Sequence, residues 1–174
     1  MKRGGGSSED AAGAERPEPW EVALKLLAMR ALTTQELGQR LARRGYTAEQ
    51  IAAVVAKLTA SRYLDDAEYA RAWARARAHR RSVGPARLAR ELRARGIAEG
   101  EITGALDEAY GDRDARQVAE AAVGRKLPAL QGLAPEVARR RLAAYLSRQG
   151  FSTEIVLALC WKHFPHGEER IPDD

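Results

Sequence analysis

The sequence predicts an all-α protein made of three tandem three-helix repeats that form an elongated, curved helical array. The first observation behind this prediction is composition, because the 174 residues include 34 Ala and 24 Arg and only 6% are aromatic. Ala, Leu, Arg and Glu favour helices, whereas a β-rich protein needs more Val, Ile, Thr and aromatic residues. The second is a glycine-centred motif that recurs three times, and the third is the helical spacing of apolar residues around it.

The repeated motif centres on Gly45, Gly96 and Gly150, which are 51 and 54 residues apart. One Leu lies four positions before each glycine and another lies eight positions before it, which is the spacing of one helix face. The pairs are Leu37 with Leu41, Leu88 with Leu92, and Leu142 with Leu146. Each glycine is therefore predicted to end its helix in the left-handed conformation.

Each repeat also has a helix before the glycine-terminated one and a helix after it. The earlier helices are predicted at 20–30, 66–81 and 114–127, and the later ones carry apolar residues at i, i+3, i+4 and i+7. Helix starts are indicated by Thr33 with Glu36, Thr47 with Gln50, Asp65 with Glu68, Pro85 and Pro135. The predicted units span 20–64, 65–111 (basic) and 112–164, between disordered tails at 1–19 and 165–174.

The sequence lacks the motifs of common enzymes. No phosphate-binding loop or dinucleotide fingerprint is present. Asp65 and Asp66 open a helix, where carboxylates act as caps rather than catalysts. Cys160, His163 and His166 have a spacing that suits a metal, but the repeat register places the first two in a buried stripe. Neither an enzyme, a cofactor nor a metal is therefore expected.

The single cysteine and the short apolar runs indicate the protein's location. One cysteine excludes an internal disulfide framework, and the longest apolar run, 155–161, is too short to cross a bilayer. The sequence therefore predicts a cytoplasmic protein with no membrane partner.

Positive charge is concentrated in the second unit. Residues 71–95 contain nine Arg and one acid, a net charge of +8, whereas the whole chain carries +5. Tyr69 and Trp73 lie on the apolar face of the unit's first helix, and this face continues into arginines, so its last turns are predicted to project beyond the core. The predicted contact surface is Arg71, Arg75, Arg77, Arg80, Arg81, Arg87, Arg90 and Arg93, held by core residues Tyr69, Trp73, Leu88 and Leu92.

The charge has two interpretations, a solvated face of an Arg-rich chain or a surface that binds phosphates or an acidic protein groove. The local excess favours the binding surface. A helix-turn-helix regulator is disfavoured, because the helix after Gly96 is acidic and the helix after Gly45 has only Lys57 and Arg62 as bases. A stand-alone protein that binds nucleic acid without sequence specificity remains an alternative.

Three segments resemble signatures of the RecX family. They are Tyr63-Leu64-Asp65-Asp66-Ala67-Glu68-Tyr69-Ala70-x-x-Trp73, Gly84-Pro85-x-Arg87-Leu88-x-x-Glu91-Leu92-x-x-Arg95-Gly96-Ile97 and Tyr145-Leu146-x-Arg148-Gln149-Gly150-Phe151. The opening 23–41, with Arg30 and Glu36, is similar as well, so the resemblance covers about 20–164. The long N-terminal segment before Trp20 departs from the family pattern. Gly124 and Pro128 make the helical pattern of the third unit's first helix less regular.

The resemblance implies a non-enzymatic regulator of the RecA recombinase. RecX-like proteins consist of three tandem three-helix units, and they lie in the groove of the filament that RecA forms on single-stranded DNA. They inhibit filament growth, ATP hydrolysis, strand exchange and coprotease activity. The resemblance thus implies the RecA filament and single-stranded DNA as partners, a role in recombination, DNA repair and the SOS response, and a monomeric chain. The arginines come from the charge distribution, since the family motifs do not identify them as binding residues.

Overall fold

The computed structural model describes residues 16–111 and 115–165, with the backbone alone for 79–81. These residues form helices and no strand. The helices are α1 (Pro19–Met29), α2 (Thr34–Ala42), α3 (Ala48–Ala60), α4 (Asp66–Arg81), α5 (Pro85–Arg93), α6 (Glu99–Gly111), α7 (Ala115–Lys126), α8 (Pro135–Gln149) and α9 (Thr153–His163), with a 3₁₀ turn at Leu127–Leu130. The fold is therefore all-α, as the sequence predicts.

Most of the two predicted tails lies outside the described residues. The structure begins at Arg16, and Arg16 Nη1 donates a 2.6 Å hydrogen bond to the carbonyl of Gly45. The Tyr46 hydroxyl donates to the carbonyl of Pro17. Residues 16–18 thus contact the first unit, although the sequence assigns them to a tail that ends at residue 19.

The predicted helix starts are confirmed, but only one of them forms the full capping box. Thr47 accepts the backbone N–H of Gln50, and the Gln50 side chain accepts that of Thr47. Thr33 and Asp65 also accept an N–H three residues ahead. The side chains of Glu36 and Glu68 instead pair with arginines, so they do not close the box.

The predicted glycine ends are confirmed. Gly45, Gly96 and Gly150 have φ values of +82°, +79° and +90°. This left-handed conformation is costly for residues with a Cβ, which explains why glycine follows each middle helix.

Each group of three helices encloses its own apolar core. The fully buried leucines before the glycines anchor these cores, together with Leu58, Ile102 and Leu159 from the third helix of each group. Tyr110 packs against both the second and the third core. The three cores are separate, so the units depend on the contacts between them for their relative placement.

The middle helices of the three units meet end to end. The N–H of Gly84 donates to the carbonyl of Gln149 at 2.8 Å, and that of Ala86 donates to Gly150 at 3.2 Å. The C-terminal end of α8 thus caps the N-terminal end of α5, where Gly84 offers no side-chain cap. At the other end of α5, the Thr33 hydroxyl donates to the carbonyl of Arg95 at 2.8 Å.

The described last turns of α4 extend past the second core to the third unit, where Ala78 is buried and not a free surface. Ala78 and Val83 are buried, with 3% and 1% of their surface exposed. Helix α4 also packs against α7 of the third unit. The apolar face continues one turn further than Tyr69 and Trp73 indicate, because Ala74 and Ala78 keep it small and buried.

Among the described residues, no helix is both long enough and apolar enough to span a membrane.

Candidate partner-binding surfaces

The exposed arginines of the second unit mostly face carboxylates of the same unit. Arg71 lies 3.0 Å from Glu68, and Arg75 lies 3.1 Å from Glu108 on α6. Both arginines also approach the other glutamate, so the four side chains form one network. The acidic face of α6 therefore lies against the basic face of α4, which the charge count along the sequence does not reveal.

Arg93 forms the shortest of these exposed pairs, at 2.7 Å from Glu99. Its guanidinium donates from two nitrogens, and this contact raises the pKa of Arg93 and lowers the pKa of Glu99. Both side chains are more than half exposed. Such pairs contribute little to stability, because water solvates the separated charges almost as well.

Arg77 and Arg87 have a structural role and do not form part of a free surface. Both lie beside Glu91, at 3.2 and 3.1 Å, and the Glu91 carboxylate is mostly buried. Arg87 also donates to the side chain of Gln149 across the junction with the third unit. These two arginines hold α5 in place, so they are poor candidates for a partner contact.

Arg90 is the predicted site residue that stays exposed without a pair. Its side chain has no hydrogen bond or salt bridge within the described residues. The side chains of Arg80 and Arg81 lie outside the described part of the chain. The eight predicted arginines thus divide into an exposed set, which is Arg71, Arg75, Arg90 and Arg93, a structural pair, and two that the structure does not describe.

Trp73 lies between two guanidinium groups instead of in the centre of the core. The carbon atoms Cζ of Arg95 and Arg77 are 4.0 and 4.6 Å from the ring centroid. The indole N–H donates to Glu91 at 3.3 Å, and Tyr69 stacks at 6.0 Å. Leu88 and Leu92 are fully buried as predicted, whereas Tyr69 and Trp73 lie at the core's edge. Burial raises the pKa of the Tyr69 phenol.

Glu36 joins the first unit to the second. Its carboxylate pairs with Arg95, and Arg30 and Arg40 approach it at 3.7 and 3.8 Å. Its Oε2 atom is buried and accepts no hydrogen bond. The sequence marks Glu36 only as a capping residue within a family-like segment, because nothing local indicates that Arg95 approaches from 59 positions away.

Asp65 and Asp66 have helix-terminal roles. Asp65 accepts the N–H of Glu68, and Asp66 accepts the N–H of Thr34 at 2.8 Å. The second contact satisfies a free donor at the start of α2 and so binds the first two units together.

Of the candidate metal residues, Cys160 belongs to the third core. Cys160 is buried in the third unit, its thiol lies 3.8 Å from the carbonyl of Arg139, and burial raises the thiol pKa. His163 is half-buried on the same helix, while His166 lies outside the described residues, as does the side chain of His79. In the described part of the chain, no three His, Cys, Asp or Glu residues are grouped to hold a metal.

An apolar groove lies between the first two units, and we call it the interunit groove. Its volume is about 600 Å³. The lining consists of Leu24, Leu27, Ala28, Ala31, Leu32, Arg62, Tyr63, Asp65, Glu68, Tyr69, Ala72 and Trp73. The groove forms where α1 meets α4, so no local signal in the sequence predicts it.

These features define an all-α protein of tandem three-helix units. Models of the RecX family match the chain twice, as the first three-helix domain at residues 20–58 and the second at residues 65–106. The chain belongs to the RecX family of regulatory proteins.

Relatives and solved structures agree with this assignment. The regulatory protein RecX of Halorhodospira halophila is 38% identical over 84% of this chain and 89% of its own length. That of Pelodictyon phaeoclathratiforme is 32% identical over 90% of this chain and 96% of its own. The crystal structure of RecX from Lactobacillus salivarius shares the fold, with a TM-score of 0.73, 17% identity and coverage of 83% of this chain and 93% of the other.

Proposed function

We propose that this chain binds the RecA filament on single-stranded DNA and mainly inhibits the ATPase, recombinase and coprotease activities of RecA. It acts in the cytoplasm as a monomer, by binding and without catalysis. The observation that carries the proposal is the similarity to regulatory protein RecX over nearly the whole chain. The tandem units support it, because an array of small units offers an extended surface to a long polymeric partner.

The exposed arginines of the second unit are the proposed contact with DNA in the filament. Arg90 is free among the described residues, and the pairs of Arg71, Arg75 and Arg93 are exposed. Exchanging an exposed carboxylate for a phosphate costs little, since an exposed ion pair contributes little to stability. The log–log slope of affinity against salt is expected to be roughly −0.7 for each phosphate contact on single strands.

The test of inhibition is an ATPase titration on preformed RecA filaments. We expect ATP hydrolysis to fall at substoichiometric amounts of this protein, because one bound molecule affects several filament subunits. Full ATPase activity at equal concentrations of the two proteins would contradict the proposal.

The charge contact is tested with two matched variants. Arg90→Glu reverses an exposed charge of the second unit, and Arg125→Glu does the same in the third unit. We expect Arg90→Glu to weaken filament binding severalfold and to reduce its salt dependence, while Arg125→Glu has a smaller effect. Equal effects would mean that net charge, instead of this surface, governs binding. Circular dichroism checks that both variants keep their helices.

A stand-alone nucleic-acid-binding protein is the second candidate, and the same exposed arginines favour it. It predicts salt-sensitive retention on bare single-stranded DNA with no effect on RecA ATPase. Absence of retention at low salt would exclude this candidate and leave the first intact.

A further inference from the structure

Helix α1 is apolar on more faces than its own unit covers. Its sequence, PWEVALKLLAM, contains only two charged residues, Glu21 and Lys25. Ala23 is buried in the first core, while Leu24, Leu27 and Ala28 line the interunit groove. A helix that is apolar almost all round is normally covered on every side. Here one side is left to the groove.

The far wall of the groove has the residue types that dominate protein interfaces. Tyr69 and Trp73 line it, and Tyr63 at the rim is 62% exposed. Aromatic residues and arginine carry a disproportionate share of binding energy when a partner excludes water from them.

The free charge at the rim is positive. Arg62 is exposed, has a left-handed φ of +57°, and makes no side-chain pair within the described residues. The two carboxylates beside it are engaged, because Asp65 caps α4 and Glu68 pairs with Arg71 and Arg75. The groove therefore complements a partner that combines an apolar side chain with a carboxylate.

The same rim disfavours nucleic acid as the occupant. A strand that stacks its bases on aromatic residues also needs cations along its phosphates. The groove lining provides a single guanidinium, that of Arg62, which is too few cations to follow a phosphate backbone.

We propose that the interunit groove binds a peptide segment of RecA in which a bulky apolar side chain is next to Asp or Glu. The apolar side chain inserts between α1 and α4, and the carboxylate pairs with Arg62. This inference rests on the proposed function and adds the place where the partner protein docks.

The first test introduces a carboxylate into the apolar lining. Ala72→Glu changes a small, exposed groove residue on α4, and the matched control Ala56→Glu changes a small, exposed residue on α3 outside the groove. Affinity for preformed RecA filaments is measured by biolayer interferometry. We expect the dissociation constant to rise by about tenfold or more for Ala72→Glu and to change less than about twofold for Ala56→Glu. Thermal unfolding checks that both variants fold.

The second test concerns Arg62. Arg62→Glu is expected to weaken filament binding severalfold, and Arg62→Lys is expected to retain most of the affinity, since it keeps the charge. If both substitutions weaken binding equally, the charge is not recognised and the proposed carboxylate partner is wrong.

The outcomes separate this inference from the proposed function. If Ala72→Glu binds and inhibits RecA as well as the Ala56→Glu control does, the groove is not the docking site. The proposed function would still stand in that case. A wild-type chain that neither binds nor inhibits RecA would overturn both. A wild-type dimer that becomes monomeric with Ala72→Glu would assign the groove to a second copy of the chain and overturn the inference.

Discussion

The two junctions between neighbouring units are held together by different kinds of contact. At the junction of the second and third units, α8 meets α5 through backbone hydrogen bonds, and Gly84 and Gly150 come so close that neither has room for a Cβ. At the junction of the first and second units, side chains carry the contact, through Glu36 with Arg95 and Thr33 with the Arg95 carbonyl. The second junction rests mainly on backbone contacts, with one side-chain hydrogen bond from Arg87 to Gln149. The first rests mainly on side-chain contacts, although Gly96 also lies too close to Gln35 to accommodate a Cβ.

This difference indicates which junction is open to a partner. A backbone contact has no rotamers, so the geometry of the second junction is fixed. The side-chain junction leaves the interunit groove on one side and the cleft around Arg77 and Arg95 on the other. We therefore expect a partner to bind on the face where the units meet through side chains.

The largest expected effect comes from Gly150→Ala at the glycine junction. A Cβ at this position would lie 2.6 Å from Cβ of Arg87, and the φ of +90° is unfavourable for alanine. We expect a loss of about 2–4 kcal/mol in the free energy of unfolding, from strain and overpacking together. Urea denaturation followed by circular dichroism measures it.

Gly132→Ala is the matched control, because Gly132 also has a positive φ, +75°, but no atoms near the added Cβ. It is expected to cost only the conformational strain, about 1–2 kcal/mol. Equal losses at the two positions would mean that close packing at the junction contributes nothing.

The next effect is expected from Glu36→Gln at the charged junction. The amide cannot neutralise Arg95, and the Glu36 side chain is only 15% exposed. Removing one partner of such a pair is expected to cost about 1–3 kcal/mol, since part of the charge is exposed. Glu99→Gln, which breaks the exposed pair with Arg93, is the control and is expected to cost much less, because water solvates the separated charges. A loss no larger than the control's would show that the charged junction adds no stability.

The smallest effect is expected from Tyr110→Phe, which lies between the second and third cores. The Tyr110 hydroxyl donates to the carbonyl of Val83, so its removal is expected to cost about 1 kcal/mol at neutral pH. Burial, with a smaller effect from the Glu91 charge, raises the pKa of Tyr110 well above its ordinary value of 10.

Because the pKa of Tyr110 is raised, the effect of Tyr110→Phe on the free energy of unfolding depends on pH. A raised pKa means that the folded state holds its proton where the unfolded state has lost it. The stabilising contribution is therefore complete below pH 10 and is lost as the pH rises above it. The stability difference between wild type and Tyr110→Phe should narrow above pH 10 in denaturation curves, and a constant difference would contradict the assignment.

The elements of this fold are predictable from the sequence because their signals are local. Thr47 and Gln50 act across three residues, and each terminal glycine acts on the helix that precedes it. The apolar stripes that became the three cores repeat every three or four residues. Such signals depend on neighbours along the chain, so they survive without knowledge of the tertiary structure.

The candidate site was predicted only in part, for the opposite reason. Counting charges identified the basic segment, but it did not show that Glu108 approaches Arg75 or that Glu91 holds Arg77 and Arg87. These pairs depend on how α4, α5 and α6 pack. The interunit groove depends further on how two units dock.

The sequence by itself determined three repeated helical units, their helix ends and an excess of positive charge in the middle, because periodicity and capping operate within one or two turns. Only the tertiary structure decided which guanidinium groups are paired, where the units touch and which apolar surface stays open. Those properties arise between residues distant in the chain, whose distances the packing of whole helices sets.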